Sequence, residues 1–130
     1  MKKPSYKLIE PVQCQLWKKG ELTEEEIRHW QFKTLRDFLD ESHMTRSLLK
    51  CEECGQLYFY EFYEVVNFEG GEDDMFDKYI PVESEKIAEE MSKMSPLALA
   101  IYTPQLQINF PPPKNNLWVG SNQISVGWVK

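Results

Sequence analysis

The chain reads as an α+β domain built round a mainly antiparallel sheet, and three features carry that reading. The segment 56–68 contains Leu57-Tyr-Phe-Tyr-Glu-Phe-Tyr-Glu-Val-Val66, aromatic and β-branched on both alternating faces, as expected of a strand covered on two sides. Thr23 followed by Glu26 is a capping-box pattern that opens a helix. With 130 residues, 42% hydrophobic and 28% charged, the chain has enough apolar material for one core, so a single domain over 1–130 is expected.

The first helix is expected over residues 24–41. Leu22 before the cap and Ile27 within the helix supply a hydrophobic staple, and Glu24, Glu25 and Glu26 suit the positive end of the helix dipole. Ile27, Trp30, Leu35, Phe38 and Leu39 share one broad face at about 100° per residue. Residues 1–20, broken by Pro4, Pro11 and Gly20, read as extended and irregular. A short strand over 46–50 leads into the long strand 56–68. The Gly- and Asp-rich turn 69–74 then returns the chain as an antiparallel strand over 75–82. Ser84 caps a second helix, 84–94, with Ile87, Ala88, Met91 and Met94 on one side, and Ser95-Pro96 ends it. Leu106, Ile108 and Phe110 alternate with polar residues as a strand. Three prolines at 111–113 leave the sheet, and 117–119 with 124–129 form a closing hairpin.

Charge and targeting narrow the function. Asp and Glu number 21 against 15 Lys and Arg, a net charge of −6 that opposes neutralisation of phosphates. The densest cations are the short pairs Lys2-Lys3 and Lys18-Lys19, so no nucleic-acid partner is expected. The rings of Tyr58, Tyr60 and Phe62 share their strand with glutamates instead of a cationic track, which marks them as core. No apolar run approaches the roughly 18 residues of a membrane span, and the N-terminus lacks a signal-peptide core. Three cysteines, an odd number, do not make a secreted disulfide framework, so a cytoplasmic protein is expected.

Cys51-Glu-Glu-Cys54-Gly55 sits between two strands. Over residues 48–58 this resembles a zinc knuckle, the half-site of rubredoxin-like and zinc-ribbon proteins. The resemblance implies a structural zinc ion, with backbone N–H groups of the turn aimed at the thiolates. Zinc takes four ligands. Cys14 and His43 would complete a three-cysteine, one-histidine set, while His29, on the polar face of the expected helix, ranks behind them. A site shared by the knuckles of two copies is a second route. The plain alternative is free thiols packed as small hydrophobes. A redox role at Cys51 and Cys54 is disfavoured, because a strand follows Cys54 and because Glu52 and Glu53 would keep the thiols protonated.

Two acidic features remain. Glu69, Glu72, Asp73, Asp74 and Asp77 form a run without a cation, expected as a projecting tip that steers a basic protein partner. Glu61 and Glu64 lie on opposite faces of their strand and cannot share a site; Glu61, if buried, would meet Lys78 on the returning strand or become a pocket carboxylate. The chain has two histidines, no Gly-x-Ser-x-Gly elbow and no nucleotide-binding glycine loop, so nucleophilic catalysis lacks its parts, and a small enzyme using a buried carboxylate such as Glu61 is a third reading. The expected function is protein binding by a small acidic cytoplasmic domain, comparable to bacterial immunity proteins in size and charge alone. The alternative is a metal-dependent or thiol-redox protein using Cys51 and Cys54.

Overall fold

A computed structural model describes residues 10–19, 21–65, 74–110 and 126–129. In chain order they form α1 (Gln15–Lys18), α2 (Glu24–Arg28), β1 (Phe32–Glu41), β2 (Met44–Cys51), β3 (Leu57–Val65), β4 (Asp74–Val82), α3 (Glu85–Met91), α4 (Pro96–Leu99), β5 (Gln105–Phe110) and β6 (Val126–Val129). The strands make one antiparallel sheet in the order β1-β2-β3-β4-β5-β6, a meander in which every strand pairs with its neighbour in sequence.

The expected strands at 56–68 and 75–82 are present as β3 and β4, paired from Leu57 with Val82 to Val65 with Asp74. Tyr58 and Phe59, neighbours on opposite faces of β3, are both completely buried, so the sheet carries a core on each side. On one face Leu49, Cys51, Tyr58, Tyr79, Leu106 and Ile108 pack beneath Cys14, Leu16 of α1 and Ile27 of α2. On the other, Leu48, Phe59, Ile80 and Val82 pack against Ala88 and Met91 of α3, Leu99 of α4, and Tyr102.

The helix expected over 24–41 is corrected. Its start is right: the Thr23 hydroxyl accepts from the Glu26 amide, and the Glu26 carboxylate accepts from the Thr23 amide. It ends at Arg28, and Phe32–Glu41 is an edge strand that turns through Ser42 and His43 into β2. The register shifts between Thr34 and Arg36 and again between Asp37 and Leu39. Each bulge resets the two-residue alternation, so Leu35, Phe38 and Leu39 mimic helical spacing. The tertiary ladder to β2 supplies the hydrogen bonds that decide the conformation.

The helix expected over 84–94 is α3, capped by Ser84, whose hydroxyl accepts from the Ile87 amide; the separate turn α4 follows, capped by Ser95. Segment 10–19 is irregular around the single turn α1. The expectations for 1–9, 66–73, 111–113 and 117–125 lie outside the described residues. No described helix is long and apolar enough to cross a membrane.

Candidate metal centre

Cys51 is the last residue of β2, and the β2–β3 connection closes round it. Its amide donates to the Gln56 carbonyl at 2.8 Å, and the Gly55 amide returns to the Cys51 carbonyl at 2.8 Å. This tight loop needs a left-handed residue, which Gly55 supplies with φ +82°. The Glu52 amide donates to the Gln31 carbonyl at 2.9 Å, tying the loop to the start of β1. A third cysteine arrives from the N-terminal side. The Cys14 carbonyl accepts from the Lys18 amide of α1, Leu16 anchors that turn in the core, and the Trp128 indole donates to the Leu16 carbonyl at 2.8 Å. The Gln13 side-chain amide bonds the Gln56 side chain at 2.8 Å, so the arm is held directly against the cysteine loop.

The result is a cluster in which the sulfurs of Cys14, Cys51 and Cys54 lie within 4.8 Å of one another. Around a tetrahedral ion with thiolates at about 2.3 Å, sulfurs stand roughly 3.8 Å apart, so a small contraction would close this trio on a metal. Cys14 and Cys51 are fully buried, and Cys54 is half-buried.

Cys14 and Cys51 are shifted in opposite directions. Burial pushes the Cys14 thiol up to about 12. Burial acts on Cys51 in the same direction, but it is outweighed by the Trp30 indole N–H, at 3.4 Å, and by the backbone N–H groups of Cys54 and Glu53, so that thiol falls below its ordinary 9.0. The expectation that Glu52 and Glu53 would keep the thiols protonated fails at Cys51 because both side chains are exposed and the loop presents N–H groups to the sulfur.

Tyr58, on the same face, extends the cluster. Its hydroxyl is buried and completes no hydrogen bond. The residue packs in one core cluster with Cys14 and Cys51, and Cys54 lies against that cluster. Burial and these thiols hold the phenol protonated far above its usual range.

His43 does not join the sulfurs. It lies in the β1–β2 turn at the far end of β2, roughly 25 Å from Cys51 at a rise of about 3.3 Å per residue. It is largely exposed and meets Glu64 at 2.8 Å. His29, ranked behind it from the sequence, lines a surface notch of about 250 Å³ with Trp30, Gln31 and Glu53 of the cysteine loop, yet it too stands outside the sulfur cluster.

The acidic tip is corrected at Asp77. This residue lies within β4, 1% exposed, where its carboxylate accepts from the Tyr60 hydroxyl at 2.5 Å and from Arg28 at 3.0 Å. Burial raises its pKa, and Tyr60 and Arg28 pull it back only in part. The strand alternation and register with Phe62 turn Asp77 into the sheet face beneath α2. Asp74 begins β4, and Glu69, Glu72 and Asp73 lie outside the described residues.

Glu61 meets Lys78 in register, as the sequence suggests, but its ion pair is with Arg46 of β2, at 2.5 and 2.9 Å. Arg46 also donates to the Ser92 carbonyl at the end of α3, and the second Glu61 oxygen is buried without a partner. Sequence reading missed Arg46 because its segment was too short to place in register. It missed Trp30 as a sulfur donor because that ring was assigned to a helix face.

No family model matches the chain, and neither a curated protein nor a solved structure shows significant similarity to it.

Proposed function

We propose that Cys14, Cys51 and Cys54 supply three of the four ligands of one metal ion, zinc by its affinity for thiolates, and that the centre is structural. It would fasten the N-terminal arm to the β2–β3 loop at the margin of a core that already folds round the sheet. The observation that carries this reading is the convergence of three sulfurs from two distant segments within 4.8 Å. It is supported by the N–H donors at Cys51, the arrangement that stabilises a metal-bound thiolate. A thiol-redox role is the second reading, favoured by the lowered Cys51 pKa beside two further thiols. Capture of a basic protein partner keeps the net charge of −6 in its favour and loses Asp77, which is inside the fold.

Protein purified without a metal-chelating tag should carry one zinc per chain, and Cys51→Ser should lose it. Cobalt in its place should give intense sulfur-to-cobalt charge-transfer absorption. Reduced protein that takes up neither ion, while a Cys51–Cys54 disulfide forms on mild oxidation, would transfer the case to the redox reading.

A further inference from the structure

We propose that Tyr58 is the outer hydrogen-bond donor of this centre, its hydroxyl serving the Cys14 sulfur once that sulfur binds the metal as a thiolate. The inference rests on the metal reading above. Three observations lead to it. The hydroxyl is completely buried and has no partner, a state that a native core rarely tolerates. The residue shares one buried cluster with Cys14 and Cys51, with Cys54 packed against them. Packing alone does not call for a hydroxyl here: Phe59, equally buried on the opposite face, is a phenylalanine, and the Tyr58 ring already has an edge contact with Phe32 at 5.7 Å.

The chemistry explains the orphan. A neutral thiol is a weak acceptor, and the hydroxyl beside it remains unsatisfied. Metal binding removes the thiol proton and leaves a sulfur bearing negative charge, to which an O–H donates strongly. The buried phenol therefore costs stability in the metal-free chain and returns it in the metal-bound one. Tyr58 is a positioning residue, acting through Cys14.

Tyr58→Phe tests this with a readout that packing would not move. Zinc affinity, measured by competition with a chromophoric chelator, should fall about 10- to 100-fold. Stability of the metal-free variant should stay level or rise, because the unsatisfied hydroxyl is gone. The sulfur-to-cobalt charge-transfer band should move to lower energy, as expected of a thiolate that has lost a donor. In a Cys14→Ser background the same substitution should have little further effect on affinity. Unchanged zinc affinity with an unchanged cobalt spectrum overturns the proposal, as does a metal-free variant destabilised in step with its affinity. Wild-type protein that binds neither ion would instead overturn the metal reading itself.

Discussion

Gly55 holds the cysteine loop in shape through its backbone alone. A Cβ at this position would meet only the Lys50 Cε, at 3.8 Å, so space does not forbid a larger residue. The left-handed φ of +82° does the restricting. Gly55→Ala should therefore cost about 1 kcal/mol from the left-handed penalty. Asn, which tolerates this region better, should cost less, and chemical denaturation of the two variants measures the difference. A loop distorted in this way would also turn the Glu53 and Cys54 amides from Cys51, so metal affinity should fall with it. The sequence showed the need for a turn at this glycine plainly; the identity of the third donor, Trp30, required the strand that follows it.

Across the strands, Arg46 on β2, Glu61 on β3 and Lys78 on β4 form a buried charged row. Arg46 is paired with the Glu61 carboxylate, and Lys78 lies beside it in register. Burial lowers the Lys78 pKa, Glu61 opposes that fall, and Arg46 adds to it. The unfolded chain then binds more protons between the lowered folded value and 10.5, so Lys78 makes the fold gain stability as pH rises through that window. Lys78→Met should stabilise the protein by about 1 kcal/mol at neutral pH, with the advantage shrinking as pH approaches the lysine's ordinary value. Glu61→Gln should do the reverse, costing about 3–5 kcal/mol because Arg46 and Lys78 would face each other uncompensated. Urea titrations at neutral and alkaline pH separate the two outcomes. The Glu61–Lys78 register was legible from strand alternation, since β3 and β4 pair without a register shift. The strand β1 was not, because its two bulges break the alternation on which such a reading depends.

At the scale of the molecule, an uninterrupted meander gives each strand a partner adjacent in sequence, and its two cores form on opposite faces. The segment 10–19 is attached to that frame by Leu16, by the Gln13–Gln56 contact, by the Trp128 bond and by Cys14. A metal at the three sulfurs would add a further attachment at this point, stabilising the fold by about 3 kcal/mol when free zinc stands a hundredfold above its dissociation constant. A strong chelator should accordingly speed tryptic cleavage at Lys18 and Lys19 while the β-sheet circular dichroism persists. Complete loss of the sheet signal on chelation would show that the ion supports the whole fold, and an unchanged cleavage rate would show that it does not hold the arm.

The sequence alone determined the features that depend on near neighbours. The capping box at Thr23, the two apolar faces of β3, the return of β4 and the glycine turn behind Cys54 are all written within a few residues. Tertiary structure decided what depended on separate segments meeting: that 32–41 pairs as a strand, that Asp77 faces inward, and that Cys14 joins the cysteine loop while His43 stays at the opposite end of β2. Local hydrogen bonds and side-chain period fix the first group. The second follows from strand pairing, register and the packing of 10–19 against the sheet, and spacing along the chain carries no measure of those distances.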